Sequence, residues 1–134
     1  MAASPDICVP HRLEGAWVPV AASVAGRQLA VQELRVRYLL LEGGGYRIID
    51  RTNQVVDGGR YLLNEELTPA TMDIVGRTGL HAGRTLLAIY ELCADELTVC
   101  YDLEARERAA AMQPQEHDRL LLRITYARAA LRLS

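Results

Sequence analysis

Apolar and polar positions along this chain recur mostly at a spacing of two, the period of a half-buried strand, and clusters of Gly, Pro, Asn and Asp interrupt them at short intervals. Residues 15–22 form the first expected strand. Pro19 within it marks a free edge or a bulge, because proline has no N–H to give to a ladder. In 26–34, Leu29 with Glu33 and Ala30 with Leu34 fall at helical spacing, so a short helix or a turn-rich crossover is expected. Alternation resumes over 35–40. Gly43-Gly44-Gly45 then turns the chain into 46–50, and Asp57-Gly58-Gly59 is expected as a second turn, leading into 60–64. After Pro69, 70–75 reads as a strand and 76–83 as a glycine-rich loop.

The segment 83–101 breaks the pattern, because its two strands are apolar on both faces. With a turn from Cys93 to Glu96, Leu92 pairs with Leu97, Tyr90 with Val99 and Ile89 with Cys100. Such a hairpin needs cover on two sides, which argues for a barrel or sandwich rather than an open one-layer sheet. The face bearing Ala88, Tyr90, Leu92, Leu97, Val99 and Tyr101 is the expected interior. Beyond Asp102, 103–112 consists of strong helix formers and stops before Pro114, and 119–128 is a last strand. The expected fold is therefore all-β, an antiparallel up-and-down barrel of about eight strands with one or two short helices. An N-terminal extension (1–12), the barrel (13–128) and a tail (129–134) make up the chain.

Composition narrows the partners. At 134 residues the chain fits one domain, and its formal charge of −2 provides no broad basic field for nucleic acid. No apolar run reaches the ~18 residues of a membrane span, and the N-terminus lacks the charged start and apolar stretch of a secretory signal. Cys8, Cys93 and Cys100 make no CxxC pair, and the hairpin register separates the last two. Three free thiols, a reducing compartment and a cytoplasmic location are the expectation.

Candidate chemistry is sparse. His11, His81 and His117 lie far apart with no metal-binding spacing, so solvated loop histidines are the default; His81, in its Gly-rich loop, is the first to test. None of Ser4, Ser23 and Ser134 sits in a nucleophile elbow. Cys93, in a turn, is a better reactive thiol than the strand residue Cys100, but Asp95 and Glu96 oppose its ionisation. Asp73 lies between apolar neighbours: inward, it orients a ligand or pairs with Arg84 or Arg123; outward, it is solvated. Lysine is absent. The many arginines either decorate the outer face or, turned inward, select an acidic ligand. No catalytic set, metal or cofactor is expected.

The order Leu13-x-Gly15-x-Trp17, then Met72-Asp73-Ile74, Gly83-Arg84-Thr85-Leu86-Leu87-Ala88-Ile89-Tyr90-Glu91-Leu92 and Asp95-Glu96-Leu97-Thr98-Val99-Cys100-Tyr101 resembles a family of small, functionally uncharacterised bacterial lipocalin-like (calycin-type) domains. The chain departs from that family's pattern at Ala94, where a turn glycine is usual, and lacks its Arg-Pro-x-x-Phe segment; it has no Phe at all. The resemblance implies a calycin barrel with a late basic residue, Arg123 or Arg128, across the Trp17 ring. By analogy with that fold, the expected function is non-catalytic binding of a small apolar or amphipathic molecule, with Trp17, Tyr38, Tyr46, Tyr61, Tyr90, Tyr101, Asp73 and Arg84 as candidate ligand contacts. That reading calls for an internal cavity of about 300 Å³ or more. The alternatives are a solid barrel acting in protein–protein interaction or as a homodimer, docking through the tail 129–133 or 104–112, and an enzyme of unassigned type.

Overall fold

A computed structural model describes residues 13–103 and 121–129. Nine strands make up this part: β1 (Gly15–Val24), β2 (Arg27–Leu29), β3 (Tyr38–Glu42), β4 (Gly45–Ile49), β5 (Val55–Asn64), β6 (Ala70–Gly79), β7 (Thr85–Cys93), β8 (Glu96–Asp102) and β9 (Leu121–Arg128). All neighbours are antiparallel, and β1 pairs with β9, so β1 and β3 to β9 close into an eight-stranded barrel. The short β2 pairs with Ala22–Val24, beyond the stretch Gly15–Trp17 that pairs with β3. Segment 26–34, expected as a short helix or a turn-rich crossover, resolves as β2 plus a single 3-10 turn at Val31–Glu33. The expected helix over 103–112, the extension 1–12, the tail 129–134 and both docking segments lie outside the described residues, Leu103 and Ala129 apart.

The hairpin β7–β8 has the expected register: Leu92 faces Leu97, Tyr90 faces Val99 and Ile89 faces Cys100. Ala88, Tyr90, Leu92, Leu97, Val99 and Tyr101 all belong to the main core. The opposite face is buried too, where Ile89, Cys100 and Leu121 form a second small cluster. Ala94 turns the hairpin at φ 55, a left-handed conformation that a Cβ disfavours. Pro19 sits at the bulge the sequence suggested: the β1–β9 register shifts between Pro19 and Ala21.

Trp17 is fully buried. Its Nε1 donates to the Leu13 carbonyl at 2.8 Å, and the Arg128 guanidinium lies 4.3 Å from its ring centroid. Arg128 also donates to the Glu14 carbonyl at 2.8 Å and to Asp95 at 3.0 Å, so Arg128 rather than Arg123 closes this end.

Two expectations require correction. Asp57-Gly58-Gly59 is not a turn; it lies inside β5. A Cβ on Gly59 would stand 2.0 Å from the Val75 carbonyl oxygen, so here glycine permits close strand approach rather than reversal. The actual β4–β5 turn is built by Asp50, whose Oδ1 accepts from the Thr52 and Gln54 amides and the Thr52 hydroxyl. These bonds, led by that of the Thr52 hydroxyl, lower the Asp50 pKa. Second, Cys93 is disulfide-bonded and Cys100 is a buried residue outside any disulfide, so the chain does not carry three free thiols and the thiol count no longer argues for a reducing compartment.

Candidate functional site

Inward side chains of β3 to β9 surround a cavity of about 100 Å³. Its wall is mostly aliphatic, with Leu39, Leu41, Met72, Ile74, Leu86 and Ile124 among the lining residues. Into this apolar wall the fold inserts two polar groups.

The first is centred on Asp57, 4% exposed. A buried carboxylate is costly unless its oxygens are hydrogen-bonded, and here each has a donor. Tyr46 donates through its hydroxyl to Oδ1 at 3.1 Å, and the Nδ1 of His81 lies 2.5 Å from Oδ2. Strand register explains the first contact. Tyr46 faces Gly59 across β4–β5, and Asp57 is its diagonal neighbour on the inner face. Since a Cβ on Gly59 would come within 3.0 Å of the Tyr46 ring, the missing side chain makes room for the ring beside Asp57.

The second contact depends on the β6–β7 loop. The Leu80 amide donates to the Val56 carbonyl at 3.1 Å, tying the loop to β5 beside Asp57. The Gly83 amide donates to the Gly76 carbonyl at 3.0 Å, and the Arg84 amide to that of His81 at 2.9 Å. A Cβ on Gly76 would stand 1.9 Å from the His81 carbonyl oxygen, so only glycine lets the loop lie this close. His81 is thereby held against Asp57 with its side chain 27% exposed, at the margin of the cavity. In the tautomer that carries its proton on Nδ1 and donates it to the carboxylate, the ring presents the lone pair of Nε2.

The second polar group is the pair Tyr101 and Tyr126, both lining the cavity, whose hydroxyls are 2.8 Å apart. Two hydroxyls bring two protons and their mutual bond uses one, so one O–H remains to donate. Burial is the main force pushing the Tyr101 hydroxyl up to about 12, and it holds Tyr126 well above the ordinary phenol value. Burial followed by the Asp57 charge raises Tyr46 likewise. All three stay protonated at neutral pH. Tyr101 lies close enough to Asp57 to feel its charge, so the two polar groups share one region of the cavity.

Of the residues expected from the sequence, Tyr46, Tyr61 and Tyr101 line the cavity. Trp17, Tyr38, Tyr90, Asp73 and Arg84 are not among the lining residues. Trp17 serves the closed end under Arg128. Tyr38 is partly exposed with Arg37 5.1 Å from its ring, and Tyr90 is buried in the core with its hydroxyl unpartnered. Asp73 alternates with the inward Met72 and Ile74 and so faces outward. Arg84 is exposed and donates to the carbonyl of Leu103, itself a lining residue. Asp57 and Tyr126 were not expected, and His81 was singled out only as the histidine to test first. Asp57 was hidden by its turn-like glycines and His81 by a loop that only tertiary contacts fold inward. Tyr126 was legible as the third inward position after Leu122 and Ile124.

No group of three His, Cys, Asp or Glu side chains among the described residues is placed to hold a metal. No described helix is long and apolar enough to cross a membrane. No protein-family model, curated protein or solved structure matches the chain.

Proposed function

We propose that the protein binds a small, largely apolar molecule with one hydrogen-bonding head inside its barrel. The observation that carries this reading is the pairing of an aliphatic cavity with two unused hydrogen-bonding groups, Nε2 of His81 as acceptor and one hydroxyl of Tyr101 and Tyr126 as donor. At about 100 Å³ the cavity falls short of the ~300 Å³ expected from the sequence, so the occupant is smaller than a typical lipocalin ligand. Engineered apolar cavities of about 150 Å³ accept benzene, so a single small ring or a short branched chain is the upper limit of size here. Phenol fits the polar requirement, since its hydroxyl donates and accepts at once.

The same reading places the chain with the lipocalin-like domains it resembles. The closed eight-stranded barrel and the arginine across the first-strand Trp17 support that kinship. Calorimetry and thermal-shift titration with phenol test the function. Binding at a Kd on the order of 0.1–1 mM is expected, equivalent to about 4–5.5 kcal/mol. Ile124→Phe, which fills the cavity, removes it. Equal binding by the filled variant, or none by the parent protein, refutes the reading.

A further inference from the structure

Histidine held by a buried carboxylate at the margin of an apolar cavity is the arrangement of a general base as well as of a hydrogen-bond acceptor. We infer that the barrel catalyses proton transfer at the carbon next to the carbonyl of a small neutral ketone or aldehyde, with His81 as base and the Tyr101–Tyr126 pair as hydrogen-bond donor to the carbonyl oxygen. This inference rests on the cavity being a binding site.

Three observations carry it. Asp57 accepts from Nδ1 of His81 at 2.5 Å, which orients the ring, leaves the lone pair on Nε2 and stabilises the imidazolium once Nε2 takes a proton. Tyr46, on the other carboxylate oxygen, keeps Asp57 in place. The Tyr101–Tyr126 pair has one proton left over, within the same small cavity, for an oxygen that gains charge. Among the described residues the lining includes no Ser, Thr, Cys or Lys, the commonest nucleophiles of acyl and Schiff-base intermediates. Proton transfer is what the remaining groups support.

The step balances without a co-reactant. Nε2 takes the α-proton, the C–H electron pair becomes the new C=C bond, and the carbonyl π pair moves to oxygen, which accepts the tyrosine hydrogen bond. The proton on Nε2 exchanges with solvent through the exposed part of the ring, and a solvent-derived proton is delivered to the same carbon, giving exchange or, on the opposite face, racemisation; delivery to a conjugated carbon gives isomerisation. Asp57 acts here as a positioning residue.

Cyclopentanone, close to benzene in size, is the probe, and its α-hydrogen exchange in D₂O is followed by proton NMR with binding measured in parallel by saturation transfer. The expected result is exchange accelerated about 100-fold or more over buffer. His81→Gln should remove the acceleration, and Asp57→Asn should lower kcat about 10-fold or more with KM unchanged, a split that general loosening of the fold does not give. Ile124→Phe, which leaves the dyad intact and closes the cavity, serves as a second variant in case His81→Gln fails to fold. Binding without accelerated exchange overturns the catalytic inference and leaves the binding function standing. Failure to bind overturns both. Acceleration that survives His81→Gln in a folded protein overturns the role of His81.

Discussion

Replacing Tyr46 by Phe isolates one of the two hydrogen bonds that make a charged Asp57 tolerable inside the barrel. The hydroxyl is buried, as is the carboxylate at 4% exposure, so water cannot readily take the place of the lost donor at Oδ1. A hydrogen bond to a charged group contributes about 1.5–3 kcal/mol; the length of 3.1 Å places this one near the lower end, about 1.5–2 kcal/mol. Replacing His81 by Ala removes the donor to Oδ2, but that side chain is 27% exposed and water reaches the position, so a smaller loss of about 1 kcal/mol is expected. The order of effects therefore reverses between assays: Tyr46→Phe costs more stability, and His81→Ala costs more ligand affinity. Urea unfolding followed by the fluorescence of Trp17, the only tryptophan, gives the stabilities. A double-mutant cycle of Tyr46→Phe with Asp57→Asn should show coupling of about 1 kcal/mol or more. A loss below about 0.5 kcal/mol for Tyr46→Phe, with additivity in the cycle, would refute the assignment of Asp57 as a buried ion held by two donors.

Other outcomes follow from the same structure. Ala94→Gly relieves a left-handed alanine in the β7–β8 turn and should stabilise the protein by about 0.5–1 kcal/mol, read as a shift of the urea midpoint at unchanged slope. Arg128→Ala strips the guanidinium from the Trp17 face and should cost about 1–2 kcal/mol with a red shift of Trp17 emission. Alkaline pH should unfold the barrel. Tyr90 and Tyr101 are raised by burial from 10.0 to about 12, so the folded state holds their protons more tightly than the unfolded chain. The stability they contribute is complete below pH 10 and is lost as pH rises toward 12. Tyrosinate absorbance should rise in step with loss of Trp17 burial, and smooth titration of all tyrosines at pH 10 in a folded protein would contradict this.

The strand pattern was legible because alternation survives wherever one face of a strand looks into the barrel, and in β7–β8 it disclosed the register as well as the inner face. Glycine misled because its two uses look alike in sequence. Gly43 and Gly44 reverse the chain, with φ of 59 and 81, whereas Gly58 and Gly59 lie within a strand. The Asp50-x-Thr52 side-chain turn carried the true signal. The aromatic candidates divide for a related reason. Period two tells which tyrosines point inward but not how far along the barrel they sit, so Tyr90 was grouped with Tyr101 although only Tyr101 lines the cavity. His81 could be singled out as the histidine to test first, but its placement against Asp57 was out of reach from sequence, since it depends on Gly76 and on the bond from Leu80 to Val56, contacts between segments distant along the chain.

The most direct measurement is a phenol titration of methyl- and histidine-labelled protein followed by NMR. Occupancy of the barrel should move the Met72, Ile74 and Leu86 methyl signals and the His81 ring resonances together, along one binding curve, with intermolecular nuclear Overhauser contacts from the phenol ring to those methyls. Shifts confined to outward residues such as Leu62 and Leu67, with the His81 ring unmoved, would contradict a ligand site inside the barrel.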